Sequence, residues 1–296
     1  MSPIAELGPV AKAETSRPVD RRLLWKTLLV LLLVAWLYLG VLGRLAAQWW
    51  RDPNFSHGFF VPAFALYLVW RKKGILATLP QSPSWYGTLI VALGLVLLVI
   101  GNLGAELFLS RFSFLIVLAG LVVAFRGWSQ QKELLFPCLF LILMIPIPAI
   151  LFNQITFPLQ ILASKLASGL LPLLGVPVLR EGNIIQIPAM PLEVAEACSG
   201  IRSLLSLTTL AIIYGYLMEP RIVIRVLLAA CSVPIAVAAN SLRIVGTGLM
   251  VQYWDPDKAE GFFHLFSGWL IFLVSLLLLF SLHKLLGSLW HEKVAL

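Results

Sequence analysis

Apolar residues in this chain come in long blocks, and polar or basic residues are confined to the short breaks between them. Eight blocks, at about 22–43, 57–70, 86–104, 108–125, 133–149, 199–218, 222–249 and 262–284, consist mainly of Leu, Val, Ile, Ala and Phe. Most are near the roughly 20 residues that a helix needs to cross a bilayer. The block at 57–70 is short and is read as starting within the outer headgroup layer. A ninth stretch, 150–175, has apolar residues at helical spacing but is interrupted by Pro158, Gln160, Ser164, Lys165 and Ser168. If it crossed, every later loop would change side and Arg221 and Arg225 would face outward. The pattern therefore predicts an interfacial or re-entrant helix on the outer side. Between it and the next block, residues 183–188 and 192–196 predict two short extended pieces joined by a proline-containing turn. A short outside loop, Gln48–Asn54, carries the tryptophans expected at a membrane interface.

The expected fold is thus an all-α polytopic membrane protein. It has about eight transmembrane helices, an interfacial helix and a small extracytoplasmic β-like patch. Residues 1–21 and 286–296 are expected as cytoplasmic tails flanking a transmembrane domain over 22–285. Composition agrees, because 60% of the 296 residues are hydrophobic and only 12% are charged. A soluble domain carries about twice that share of charge. Three cysteines are too few for a disulfide scaffold. The net charge of +8 is scattered between apolar runs, with no nucleic-acid-binding signature. Its use is orientation: 14 of the 22 Lys and Arg fall in the breaks assigned to the cytoplasm, which places both termini inside.

An ionisable residue within or beside a membrane span is costly and needs a reason. Three of them, far apart in sequence, fall on the outer side of this layout: Cys198, Arg243 and His264. Cys198 lies in Glu196-Ala197-Cys198-Ser199-Gly200-Ile201-Arg202, at the start of a predicted helix. The helix dipole and its unpaired N–H groups lower the pKa of a thiol placed there. Arg202, one turn on, is within reach of the sulfur, and Gly200 permits close approach of a substrate backbone. Arg243 shares a helix face with Asn240 and Thr247. His264 is four residues before Gly268, a position where a neighbouring helix can come close. His57, in Ser56-His57-Gly58, is a second candidate for acid–base work. His283 and His291 read as solvated residues of the inner tail, and Cys138 and Cys231 as structural thiols in apolar helices. The four His and three Cys have no metal-ligand spacing, and no cofactor-binding loop is present.

The ordered set Glu-x-Cys-Ser-Gly-Ile-Arg, Asn-x-x-Arg and His-x-x-x-Gly resembles the exosortase/archaeosortase family. The stretch Ser56-His57-Gly58 through Pro62 to Trp70 is also similar to that family's N-terminal region. The resemblance covers roughly residues 55–285. It implies a cysteine protease/transpeptidase in the bacterial inner membrane, active on the outer, periplasmic face and needing no cofactor or metal. Its expected partners are membrane lipid and exported proteins with a tripartite C-terminal signal: a Pro-Glu-Pro-type motif, an apolar helix and a basic cluster. The family's catalytic Cys, Arg and His fall on Cys198, Arg243 and His264. Glu196, Ser199, Gly200, Arg202, Asn240 and His57 are the expected substrate-binding neighbours. From the residues alone Arg202 and Arg243 are rivals for stabilising an oxyanion; the resemblance selects Arg243. The alternative from a different class is a transporter whose outer vestibule contains Arg243, Arg202 and Glu196. A third, a membrane acyltransferase acting on lipid or glycan, could use the same cysteine chemistry.

Overall fold

The computed structural model describes residues 21–194, 200–254 and 262–292. Contacts group the chain into two units, Met1–Gly40 and Val41–Leu296. Helix α1, Arg21–Arg51, begins in the first unit, where Trp36 and Leu39 expose apolar surface. The second unit continues with a 3-10 turn, Pro53–Phe59, then α2 Phe60–Arg71 and α3 Lys73–Thr78. Next come α4 Tyr86–Leu103, α5 Leu107–Arg126 and α6 Trp128–Phe140, the last running into a 3-10 turn, Leu141–Met144. Then follow α7 Ala149–Leu170, α8 Ile201–Met218, α9 Ile222–Tyr253 and α10 Phe262–Glu292. Strands β1 Leu179–Glu181, β2 Ile184–Gln186 and β3 Pro191–Glu193 form one antiparallel meander between α7 and α8.

Among the described residues, seven helical stretches are long and apolar enough to cross a membrane: Leu28–Arg51, Tyr86–Leu103, Leu107–Arg126, Ala149–Leu174, Ile201–Met218, Ile222–Tyr253 and Phe266–Ser288. Large side chains such as Leu89, Val96, Val226 and Leu277 stand exposed along them. In water so much apolar surface would drive aggregation, whereas hydrocarbon solvates it. The protein is a polytopic all-α membrane protein. Two expected spans, 57–70 and 133–149, are built differently, each as a short α-helix joined to a 3-10 turn. The 150–175 stretch forms a continuous helix that tolerates Pro158 and meets the length and apolarity of a crossing helix. Its polar positions have a local use: the Ser164 hydroxyl donates to the Gly182 carbonyl at 2.9 Å. Ala163, Ala167 and Leu171 of the same face pack on Ile185, Val194, Ile244 and Val245. The meander is therefore pinned between α7 and the later part of α9. It contains one strand more than expected, since Leu179–Glu181 pairs with β2.

The tightest pairing is the α4–α5 hairpin. Gly87, Gly94 and Gly101 recur every seven residues along α4. A Cβ on them would lie 2.1 Å from the Ala124 nitrogen, 2.6 Å from Val117 Cγ2 and 2.6 Å from Ser110 Oγ. Only bare backbone permits this approach, the small-residue packing typical of membrane helices. The outside loop expected at Gln48–Asn54 is largely the last turn of α1. Trp49 is buried instead of lying at an interface, because its indole packs where Gly58 has no side chain and its Nε1 donates to the Met144 carbonyl at 2.8 Å. Trp50 is exposed, as an interfacial residue would be.

At the far end of α8, Glu219 ties three helices together. Its carboxylate accepts from the Arg221 backbone N–H at 2.9 Å and lies 3.2 Å from His283 Nε2, while His283 Nδ1 is 2.8 Å from the Tyr214 hydroxyl. Burial pushes the Glu219 carboxyl up, but the Arg221 N–H, His283 and the Arg221 charge outweigh it and hold the group below its ordinary value. His283 is therefore not a solvated tail residue: α10 continues to Glu292 and carries His283 into this cluster. His291 lies outside the side chains described.

Candidate active site

The described residues of the three motifs, Gly200, Asn240, Arg243 and Gly268, fall at one end of the α8–α9–α10 packing. Gly200 precedes α8 with φ +77° and is buried. Its carbonyl accepts the Leu204 N–H at 2.8 Å, closing the first turn of the helix. A Cβ there would lie 2.8 Å from Cβ and Cγ of Asn240, which is itself 2% exposed. Glycine is needed twice over, for the left-handed backbone and for the contact. Arg243 is one turn beyond Asn240 on α9 and half-buried. Its guanidinium lies over Gly268 of α10: a Cβ on that glycine would be 3.7 Å from Cζ and 3.9 Å from both terminal nitrogens. The backbone of His264 is within α10, one helical turn before Gly268. On the other flank, Val194 packs with Ile244 and Val245, the two residues after Arg243. The chain segments on either side of residues 195–199 are thus both anchored to the same stretch of α9.

Cys198, Glu196 and Ser199 lie outside the described residues, as does the side chain of His264. Arg202 is exposed on α8. Thr247, expected on the face of Arg243, turns its hydroxyl onto the Arg243 carbonyl at 3.0 Å. Cys138 and Cys231 are free thiols, each partly buried in a helix, in keeping with a structural reading.

A profile of the transmembrane exosortase family matches residues 49–281. That is most of the chain, and it takes in every site residue described above. This chain belongs to the exosortase family. No curated protein and no solved structure gives a significant match.

In this exosortase His57 is a buried residue, 8% exposed, in the turn that links α1 to α2. Its Nε2 is 3.3 Å from the Leu143 carbonyl, so it is placed to donate to the 3-10 turn after α6. Its Nδ1 is buried and, among the described residues, forms no well-aligned hydrogen bond. The turn packs on α8, and Phe55 beside it shares a core cluster with Ile201. Burial lowers the pKa of His57 from its ordinary value, partly offset by the Leu143 and Asn54 backbone carbonyls. A depressed histidine contributes stability that is complete above the unfolded value, near pH 6.5, and lost as pH falls through the folded value. The melting temperature of the wild-type protein should therefore fall from pH 7.5 to 5 more steeply than that of His57→Gln. Parallel curves would contradict a buried neutral imidazole.

Gly200→Ala is expected to cost about 1–3 kcal/mol from the backbone alone, with the Asn240 contact added. Thermal denaturation in detergent should show the loss, and Asn240→Ala in the same protein should return part of it. A melting temperature equal to wild type would contradict the geometry.

Sequence reasoning passed over Arg111, on α5. It is 4% exposed, and its Nε is buried with no hydrogen-bond partner among the described residues. The signal was available, since a charge inside the apolar block 108–125 is costly wherever it has no function.

Proposed function

We propose that this exosortase is a membrane-embedded cysteine protease/transpeptidase acting on exported proteins with a C-terminal sorting signal. The signal comprises a Pro-Glu-Pro-type motif, an apolar helix that docks from lipid, and a basic cluster. The Cys198 thiolate attacks the scissile carbonyl, and the C–N bond breaks to leave a thioester. The departing amine takes its proton from His264. Water or an acceptor amine then attacks the thioester, giving up a proton to His264 and releasing the thiolate. Arg243 stabilises the oxyanion of both tetrahedral intermediates, where a positioned cation is worth a few kcal/mol. Glu196, Ser199, Gly200, Arg202 and Asn240 flank the reacting bond, and His57 holds the neighbouring turn.

One observation carries this reading. The Arg243 guanidinium lies over Gly268, one turn from His264, while Gly200 packs on Asn240, one turn before Arg243. Chain length alone keeps Cys198, two residues from Gly200, within about 7 Å of it. The closeness of Gly200, Asn240, Arg243 and Gly268, which belong to three motifs distant in sequence, supports the reading. The proposed orientation has both termini in the cytoplasm of the bacterial inner membrane and the site on the periplasmic face, which needs an even number of crossings. In it, α2 and α6 with their 3-10 turns cross together with six of the long helices, and α7 stays at the outer face. The charged residues Arg180, Glu181 and Glu193 of the meander are exposed beside this end of α9, which suits an aqueous face.

The test is co-expression with an exported reporter bearing such a signal, followed by mass spectrometry of the reporter. Loss of the tail helix supports the reading, and the mass of the new C terminus separates hydrolysis from transfer. A reporter that keeps its tail at normal membrane abundance of the enzyme contradicts it.

A further inference from the structure

Arg111 borders a cavity of about 570 Å³ formed by the end of α1, the α4–α5 junction and the start of α7. The volume is in the range of pockets that take a short peptide or a small molecule, about 300–1,000 Å³. A buried guanidinium ordinarily has a carboxylate or several acceptors around it, because leaving it unpaired costs several kcal/mol. Among the described residues the Arg111 Nε has no hydrogen-bond partner. Two acids also line the cavity, and each caps a backbone N–H at a chain turn. Asp52 accepts the Asn54 N–H at 3.0 Å, and Glu106 accepts the Phe108 N–H at 3.1 Å. Arg44 adds a second positive charge from the adjoining cavity of about 510 Å³, which shares Ala105 and Leu107 with the first.

Most of the remaining lining is apolar, with Phe55, Phe152, Pro146 and Pro148, and Gln48 and Asn153 add two polar side chains. Phe55 also touches the core cluster that holds Ile201, the first residue of α8. The cavity therefore adjoins the Pro53–Phe59 turn, which packs on α8. We propose that Arg111 is a specificity residue: it binds the carboxylate of an acidic side chain on an extended peptide, flanked by apolar residues that fill the Phe and Pro walls. The inference rests on the peptide chemistry proposed above and assigns the acidic residue of the sorting motif to this pocket. A lipid phosphate has related chemistry, but a lipid needs no passage toward the start of α8, and the peptide does.

The probe is a synthetic peptide with Pro-Glu-Pro between short apolar flanks, and its Pro-Gln-Pro counterpart. Binding is measured to Cys198→Ala protein in phosphatidylcholine nanodiscs, so the readout does not depend on turnover. The Glu peptide should bind about 10- to 100-fold more tightly than the Gln peptide, the range for a buried charge-assisted contact. That preference should persist in 0.5 M salt. Adding Arg111→Gln should abolish the preference, and adding Arg111→Lys should retain part of it. Equal binding of the two peptides overturns the proposal, and this comparison needs no folded Arg111 variant. A preference that survives Arg111→Gln also overturns it, as does an Arg111-dependent uptake of phosphatidylglycerol with no peptide preference. A failed reporter assay with Arg111-dependent peptide selectivity would sink the proposed reaction and leave this site standing.

Discussion

Cys198→Ala should abolish removal of the sorting tail, to below detection at equal membrane abundance. The drop expected when a covalent nucleophile is removed is on the order of 10³- to 10⁶-fold. A methyl group in place of the thiol leaves no atom to carry the acyl group, and the remaining oxyanion and binding contacts cannot supply one. Cys198→Ser should retain at most a trace, since a hydroxyl at neutral pH is a far weaker nucleophile than a thiolate. Cys138→Ala and Cys231→Ala are the controls. Both thiols are partly buried in helices away from the Gly200–Asn240 contact, and both variants should process the reporter normally. If Cys198→Ala processes at the wild-type rate, the nucleophile assignment is wrong and the vestibule of a transporter becomes the better account of these polar residues.

Arg243→Ala should lower the processing rate by about 10²- to 10³-fold, the loss typical of an oxyanion donor. Arg243→Lys should fall between, because a point charge on a flexible stem does not reproduce the planar fork. Arg202→Ala should change the rate little, since Arg202 is exposed on α8. The two arginines that sequence left as rivals are separated by this comparison. The position of the guanidinium can be tested through its neighbour. A Cβ on Gly268 would sit at ordinary contact distance from Arg243, 3.7 Å from Cζ. Gly268→Ala should thus be tolerated, whereas Gly268→Leu must displace the guanidinium and should approach the loss of Arg243→Ala. Reporter processing rates at matched membrane abundance measure all five. A rate for Arg243→Ala within threefold of wild type would remove Arg243 from the chemistry.

The apolar blocks announced most of the helices because hydrocarbon thickness demands long apolar runs and the polar breaks mark their ends. Pairings were not announced in the same way. The Gly87, Gly94 and Gly101 stripe fixes α4 on α5, yet each glycine alone reads as a neutral member of an apolar block. Trp49 was read as interfacial because aromatic residues at a span end usually are; its carbonyl partner, Met144, is 95 residues away and could not be foreseen. The same holds for His283, whose partners Glu219 and Tyr214 lie on another helix and its turn. The site was more legible, because Gly200, Asn240, Arg243 and Gly268 are small or polar residues where apolar ones would be cheaper. Their convergence is a property of tertiary packing, and motif order only pointed toward it.

The central claim is that an acyl group passes through the Cys198 sulfur. Purified wild-type protein in nanodiscs can be mixed with the reporter, quenched in acid and digested for mass spectrometry. The account predicts a transient adduct on the Cys198 peptide, with the mass of the reporter segment upstream of the cleavage point and one released tail per adduct. Neutral hydroxylamine should discharge it to a hydroxamate at the reporter's new C terminus. Tail release with no adduct on Cys198, or with an adduct on another residue, would contradict the account.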